Sequence, residues 1–554
     1  MPTLSTTKAG VSGGRKRVSR NSHPVRVSRA PANAPVSAVA EASAEVSLSS
    51  ILPPNLPRLC LALQAESANE LLAKAEQVAR ENLLLELRLD SLKHPESALP
   101  RIRQFLQSWP EVLCIATCRR QSLGGRYRGS IAAEIALLLK AAQAGCRFVD
   151  LELETAEHAE ARALNALRRQ ARLILSHHDY ERTRPPEPVF ERMRRFEPAI
   201  YKLAFTARGF SDNLVLERFL RRYAHAFPIV ALAMGEWGLP SRLLALRAGA
   251  AFTFAGFSPG DATAPGQLDL ATLRSLYRVD ETNRATRVYG VLGYPIAHSL
   301  SPHMLNAAFQ HENINAFYLP LAAKKAEEIL EAAQELPLSG FSITLPHKSA
   351  LLDAMDGLDP LARKVGAINT VIRSNGKLYG YNTDVAGILA PLEQRQPLQS
   401  ARVLVIGAGG AARAAVFGLK ARGANVWLLN RTPARALALA RQSHAHAIKR
   451  PELKNLTVDI VLNATPVGQK PQIHQSPLSA PELALLKPKI VFDLVYNPLE
   501  TQLLGLARDA GAAAIPGYEM LLAQGARQFQ LWTGKPAPLD LMRHELLARL
   551  HSPA

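Results

Sequence analysis

Between Arg58 and Gly256 eight short apolar runs recur: Arg58–Leu63, Leu83–Asp90, Val112–Cys118, Phe148–Glu152, Leu173–His177, Ile200–Phe205, Ile229–Met234 and Ala251–Gly256. They stand roughly 20–30 residues apart with helical patterns between them, which is how parallel βα units read. Eight such units close into a (βα)8 barrel, whose reactive groups sit at the C-terminal ends of the strands. Polar residues fall at those ends: Glu86, Arg88 and Asp90, Arg119, Ser176 and His178, Lys202, and Arg242.

The chain has 554 residues, too many for one core, and turns polar over Asp280–Arg287 before a new βα pattern opens at Val288–Leu292. The division expected is a barrel over 51–286, a small α/β unit over 287–400, a dinucleotide-type α/β unit over 401–515, and C-terminal helices over 516–554 packing back on the middle unit. Residues 1–50 hold seven Lys/Arg against two acidic residues with no hydrophobic periodicity, and read as a disordered basic tail. The rest of the net charge of +19 is dispersed over helices as solvated faces. Without aromatic interleaving or a groove-reading motif it does not suit nucleic acid. No run reaches the roughly 18 apolar residues of a membrane span. Four cysteines, all in the first half, exclude a disulfide framework and fit a reducing compartment. Cys114 and Cys118 share one parity and read as buried thiols rather than metal ligands.

Lys202 stands in Ala199-Ile-Tyr-Lys-Leu-Ala-Phe205, an apolar strand where a lysine charge is costly. Desolvation and neighbouring cations would lower its pKa and free the amine to form a Schiff base; a lysine at an exposed strand end is the plainer alternative. His178, in Leu175-Ser-His-His-Asp179, reads as a proton carrier or as a core histidine. Their company separates these alternatives. Glu86-Leu-Arg-Leu-Asp90, Thr117-Cys-Arg119 with Gly124-Gly125, Val149-Asp-Leu-Glu152, Ser176-His-His-Asp179, Tyr201-Lys202, Met234 through Ser241-Arg242, and Thr263-Ala-Pro-Gly-Gln267 follow one another in that order. Over residues 55–285 the chain thereby resembles the type I 3-dehydroquinate dehydratases. The resemblance implies that Lys202 forms an imine with the substrate ketone and His178 moves the protons. Arg242 then clamps the substrate carboxylate, while Glu86, Arg88, Arg119, Thr263 and Gln267 hold hydroxyls and carboxylate. Before the Gly-Gly pair, where the family usually has an acid, stands Leu123. That leaves Asp179 or Glu152 as the carboxylate to orient His178.

Farther on, Gly407-Ala-Gly-Gly-Ala-Ala412 follows the apolar strand Val403–Ile406 and opens a helix over Ala411–Lys420. Glycines there permit a tight turn and close approach to a pyrophosphate, although packing alone also selects them. Arg431, 24 residues after Gly407 in Asn430-Arg431-Thr432, suits a ribose 2′-phosphate where an acidic residue would suit a hydroxyl. That points to NADP, held by Gly407, Gly409, Gly410, Ala411, Asn430, Arg431 and Thr432, with Arg435 one helical turn on. In Gly293-Tyr-Pro-Ile-Ala-His-Ser-Leu-Ser-Pro302, Ser299 and Ser301 alternate, so both hydroxyls can reach one carboxylate; Ser301 alternatively caps a helix over His303–Gln310. Phe341-Ser-Ile-Thr-Leu-Pro-His-Lys348 ends a strand in a lysine, and Gly366-Ala-Ile-Asn-Thr370 and Tyr381-Asn-Thr-Asp384 add an amide and a carboxylate. With Asn463-Ala-Thr465, Tyr496-Asn-Pro498, Gly517-Tyr-Glu-Met520, Gln524 and Trp532-Thr-Gly534, these segments resemble shikimate dehydrogenase across residues 288–554. The resemblance implies that Ser299, Ser301, Thr344, Asn369, Tyr496 and Gln524 bind substrate, that Lys348 and Asp384 are the catalytic pair, and that Gly517 joins the cofactor site. Ser342 stands where the family often has Asn.

The two resemblances interlock, because the product of one reaction is the substrate of the other. 3-Dehydroquinate loses water to 3-dehydroshikimate, and NADPH reduces this to shikimate, with no metal in either step. The partners implied are small molecules. Two rivals stay open: a dehydrogenase acting on quinate, and a barrel serving as scaffold or binding module on account of Leu123. The Arg/Ser-rich tail fits a plastid or other organellar transit peptide, but Gly13-Gly14 and Arg15-Lys-Arg17 give no amphipathic stripe. The expectation is a cytoplasmic protein.

Overall fold

The computed structural model describes residues 58–296 and 298–551, so the basic tail lies outside the described residues. Eight strands follow in order: β1 (Leu59–Leu63), β2 (Leu84–Arg88), β3 (Leu113–Thr117), β4 (Phe148–Glu152), β5 (Arg172–Asp179), β6 (Ile200–Thr206), β7 (Ile229–Met234) and β8 (Thr253–Gly256). From β1 to β7 each strand pairs in parallel with its sequence neighbour, and β8 pairs in parallel with β1, so among the described residues the barrel lacks only the β7–β8 ladder. Cys118 falls one residue past β3, yet both it and Cys114 are free, buried thiols in the outer apolar shell.

Strand parity explains how an apolar barrel acquires a polar mouth. Leu59, Leu61 and Leu63 point outward to the helices, whereas Cys60 and Ala62 join Leu84, Ile115, Phe148, Ile174, Ile200, Val230 and Phe254 in the plug that fills the interior. Two residues toward the C-terminus on the same inward face, Leu84 gives way to Glu86, Phe148 to Asp150, Ile174 to Ser176, and Ile200 to Lys202. One more step brings Arg88, Glu152 and His178.

The second half holds two sheets. In the first, β9 (Arg287–Gly293), β10 (Ala316–Ala322), β11 (Leu338–Ile343), β12 (Gly357–Leu358), β13 (Thr370–Ser374) and β14 (Lys377–Tyr381) lie in the order β10-β9-β11-β13-β14-β12. In the second, β15 (Arg402–Ile406), β16 (Asn425–Leu429), β17 (His446–Ile448), β18 (Ile460–Asn463), β19 (Ile490–Asp493) and β20 (Ala513–Ile515) are all parallel in the order β17-β16-β15-β18-β19-β20. This is a doubly wound sheet whose order reverses beside β15, where a dinucleotide crevice forms.

The C-terminal segment is two helices, Tyr518–Thr533 and Leu539–His551, parted at Gly534. Their Leu522, Phe529, Trp532, Met542 and Leu546 pack with Tyr289, Met304, Phe309 and Tyr318 of the middle unit. Among the described residues no helix is long and apolar enough to cross a membrane.

Candidate active sites

Glu86, Arg88, Arg119, His178, Lys202, Arg242, Thr263 and Gln267 all line one cavity of about 220 Å³ at the C-terminal mouth of the barrel. Lys202, only 5% exposed, lies 2.8 Å from Asp150 and 3.3 Å from Glu86, with its ammonium 4.3 Å from the Phe254 ring centroid. Burial pushes its pKa down, but Asp150 and Glu86 outweigh burial, so the group ends above the ordinary lysine value. The lowered pKa expected from the sequence is therefore corrected: the groups nearest this lysine are carboxylates.

Arg119 ties the floor together. Its Nη2 donates to Asp150 at 2.8 Å and Ser176 at 3.1 Å, and its Nε to Glu152 at 3.0 Å. Arg88 is likewise engaged, bidentate on Asp90. Thr263 donates through its backbone N–H and its hydroxyl to Gln267 Oε1, so each steadies the other.

Glu152 is the carboxylate against His178. Its oxygens lie 3.0 and 3.2 Å from Nδ1, and one also accepts the His178 backbone N–H at 2.9 Å. Asp179 turns away, accepting the N–H groups of Glu181 and Arg182. Leu123 thus leaves no gap beside the imidazole; its carbonyl instead accepts the Tyr180 hydroxyl at 3.3 Å, and the Tyr180 ring stacks on His178. Burial first, then Arg119, pulls the His178 pKa below its ordinary value against the pull of Glu152. A neutral ring whose Nδ1–H faces Glu152 presents Nε2 as an acceptor.

Arg242 has no carboxylate partner among the described residues. It is 2% exposed, its Nε makes no hydrogen bond, and its Nη2 reaches only the Pro265 carbonyl at 3.5 Å. Burial alone lowers it to about 10. A buried cation so placed favours an anionic ligand. Asp150, Tyr180 and Phe254 were not singled out as site residues from the sequence, and Ser176 only as one of the polar residues at the strand ends. For Asp150 the signal was there: it shares inward parity with Glu152, two residues on.

In the second half Lys348 Nζ donates to Asp384 Oδ2 at 2.5 Å, and the other Asp384 oxygen accepts Asn369 Nδ2 at 2.7 Å. Asn369 also meets Thr383 at 3.0 Å and Gln524 at 3.5 Å. The strand before Lys348 ends at Ile343, so Lys348 sits in a turn five residues on rather than closing the strand. Thr344 opens that turn, its carbonyl accepting His347 N–H at 3.0 Å. Ser301 is the first residue of the helix Ser301–His311, whose N-cap position is Leu300, so the alternative capping role is not observed. Neither Ser299 nor Ser301 joins the Lys348–Asn369 network by a hydrogen bond within the described residues. Gln528, one turn after Gln524, donates to Thr370 at 3.0 Å; the i, i+4 spacing of the two glutamines was its signal.

Gly407 follows β15 with φ 124°, open to glycine, and a Cβ there would meet the Ala464 carbonyl at 2.9 Å. A Cβ on Gly409 would face open space, whereas one on Gly410 would stand 3.7 Å from Lys348 Cδ. The turn therefore offers a clear backbone surface at the N-terminus of the helix Gly410–Ala421, next to the lysine. Arg431 and Arg435 are exposed past β16, without ion pairs among the described residues, while Asn430 turns onto the Thr432 carbonyl at 2.9 Å. These groups fit a dinucleotide carrying an extra phosphate. Tyr496 is half-buried past β19, and Gly517 packs so closely there that a Cβ would lie 2.4 Å from the Val495 carbonyl.

A type I 3-dehydroquinase model matches residues 59–284. A shikimate dehydrogenase substrate binding domain matches 291–371, a shikimate/quinate 5-dehydrogenase model 391–499, and a shikimate 5′-dehydrogenase C-terminal domain 517–547. A chloroplastic bifunctional 3-dehydroquinate dehydratase/shikimate dehydrogenase of Arabidopsis thaliana is 34% identical over 508 residues, 87% of this chain and 83% of the relative. A shikimate dehydrogenase (NADP(+)) of Bacillus cereus is 39% identical over 277 residues, 48% of this chain and 99% of its own. A crystal structure of shikimate 5-dehydrogenase from Thermus thermophilus is 37% identical over 48% of this chain and 99% of its own, with a TM-score of 0.45. A dehydratase match on one half, dehydrogenase matches on the other, and a relative carrying both in one chain lead to one conclusion: this chain belongs to the bifunctional 3-dehydroquinate dehydratase/shikimate dehydrogenase family.

Proposed function

We propose that the barrel dehydrates 3-dehydroquinate through an imine on Lys202. The amine adds to the substrate ketone and water leaves, so that the iminium nitrogen takes the place of the ammonium. Asp150 and Glu86, which favour positive charge on Lys202, favour the iminium for the same reason, and the iminium acidifies the adjacent C–H. His178 takes that proton on Nε2 and returns one to the departing hydroxyl, after which hydrolysis frees 3-dehydroshikimate. Arg242 holds the substrate carboxylate. Glu86, Arg88, Arg119, Thr263 and Gln267 hold hydroxyls and carboxylate.

The second half then reduces 3-dehydroshikimate to shikimate. NADPH supplies the hydride, held by Gly407, Gly409, Gly410, Ala411, Asn430, Thr432 and Gly517, with Arg431 and Arg435 on its 2′-phosphate. The Bacillus cereus relative is named for NADP(+), in support of that choice. Lys348 gives a proton to the ketone oxygen as it becomes an alkoxide, and Asp384 orients both lysine and hydroxyl. Ser299, Ser301, Thr344, Asn369, Tyr496 and Gln524 bind the substrate. The domains are 51–286, 287–400, 401–515 and 516–554. We assign the protein to the cytoplasm; the Arabidopsis relative is named chloroplastic, and a reporter fused to residues 1–50 separates the two addresses.

The observation that carries the dehydration is a buried lysine and a Glu152-bound imidazole on the wall of one cavity that also holds a buried arginine with no carboxylate partner among the described residues. The experiment is turnover of 3-dehydroquinate with NADPH, following formation of the conjugated ketone and loss of NADPH together, and borohydride trapping of the imine. A reduced adduct on Lys202 is expected. Dehydration without an adduct overturns the imine, and absence of dehydration favours the barrel as a scaffold.

A further inference from the structure

We propose that Trp237, a barrel residue, is a positioning residue for shikimate binding in the dehydrogenase half, an inference that rests on the assignment of Ser299 and Ser301 to that site. Trp237 lies in the turn Glu236–Gly238, just after β7. The turn is fixed from the barrel side. Asn213, 1% exposed, donates to the Trp237 carbonyl at 2.8 Å, and Gly235 N–H donates to the Pro265 carbonyl at 3.0 Å. A Cβ on Gly266 would stand 2.2 Å from the Gly235 carbonyl, so this turn and the loop bearing Thr263 and Gln267 touch backbone to backbone.

Across the junction the indole stacks on Tyr294, with ring centroids 5.7 Å apart and planes 10° from parallel. The Lys324 ammonium lies 4.8 Å from the Trp237 ring and 4.9 Å from the Tyr294 ring, a cation over both π-faces. Tyr294 is still 43% exposed with the indole on it, so its own half supplies little to hold the ring. Yet its backbone is central to the second site. Tyr294 N–H donates to the Leu345 carbonyl at 3.1 Å, and a Cβ on the preceding Gly293 would stand 2.4 Å from Thr344 Cγ2. Tyr294 therefore begins the segment leading to Ser299 and Ser301 and also contacts the turn leading to Lys348. Backbone contacts and one aromatic stack join the Thr263–Gln267 loop of the barrel to both.

Coupling between sites commonly amounts to five- to 150-fold in affinity and is reciprocal. In the full-length protein assayed for shikimate oxidation with NADP+, Trp237→Ala is expected to raise the KM for shikimate about tenfold while kcat changes less than about twofold and the KM for NADP+ stays put. Trp237→Phe restores most of the shikimate KM, since a ring suffices for the stack. Arg218→Ala, which removes the 2.6 Å Arg218–Glu335 pair at the same junction without touching either loop, leaves it unchanged. An unaltered shikimate KM in Trp237→Ala, a parallel decline of all three parameters, or an equal effect of Arg218→Ala overturns the proposal. If Trp237→Ala does not fold, Lys324→Met, which removes the shared cation and keeps the stack, must raise the shikimate KM, and no rise overturns it. Insensitivity of the wild-type site to Ser301→Ala would instead show that the serine assignment is at fault.

Discussion

A histidine that is to accept a proton must be neutral, and burial together with Arg119 makes His178 so by lowering its pKa below the ordinary imidazole value. Its basic form is complete above the folded pKa and is lost as pH falls through it. The acid limb of dehydratase kcat/KM is therefore expected below about pH 6.5, the unperturbed value. Glu152 pulls the other way and raises the imidazole. Glu152→Gln should move the limb to still lower pH while reducing kcat by roughly 10²-fold, the scale of a misoriented proton carrier. A pH–rate profile showing a limb shifted upward, or an unchanged rate, would remove Glu152 from that role. Arg431 is a simpler case, because it is exposed and has no ion pair to lose among the described residues. Arg431→Ala should weaken NADPH binding by about tenfold or more, the loss of a charge-assisted hydrogen bond, with NADH little altered. Titration of both cofactors gives the answer; an equal loss would end the 2′-phosphate assignment.

Strand β4 concentrates the barrel's charge problem into five residues, with Phe148 in the plug and Asp150 and Glu152 above it. Burial raises both carboxyls, but Lys202 and Arg119 hold Asp150 below the ordinary carboxylate range, and His178 and Arg119 hold Glu152 at about 2. Groups depressed in this way stabilise the fold fully above the ordinary carboxylate pKa, and that contribution drains away as pH falls toward 2. Asp150→Ala leaves Lys202 without its 2.8 Å partner and Arg119 short of one carboxylate. The cost at neutral pH should be about 3–5 kcal/mol, that of an uncompensated buried charge, read by denaturant unfolding. A loss below about 1 kcal/mol would mean the charges are not paired in solution as they are here. The strand itself was legible, since Phe148–Glu152 and Ile229–Met234 match their apolar runs to the residue. The lysine's environment was not: its two carboxylates lie 52 and 116 residues away in sequence, and no local pattern reveals which charges a barrel closure will oppose. Lys348 was misplaced for a local reason, because Pro346 cannot continue a ladder and the chain turns before the lysine arrives. Ser301 stood as the alternative cap of a helix over His303–Gln310, but the helix begins two residues earlier, at Ser301 itself.

At the scale of the molecule the two activities have separate reacting groups, although the apolar packing is continuous. One cluster of buried residues takes in the barrel's outer shell, Tyr277 and Val279 beside the junction, and Val288, Leu292 and Phe317 of the middle sheet. The dinucleotide sheet has its own clusters on its two faces. Damage to the shared packing is therefore expected to impair both reactions, whereas a change confined to the barrel mouth should impair one. Lys202 meets Asp150, Glu86 and Phe254, all within the barrel, so Lys202→Ala should abolish dehydration of 3-dehydroquinate and leave reduction of added 3-dehydroshikimate within about twofold of wild type. The two assays are run on one preparation whose circular dichroism shows it folded. Loss of both activities in that folded protein would mean that the halves share reacting groups, and retained dehydration would mean that another amine, or none, carries the substrate.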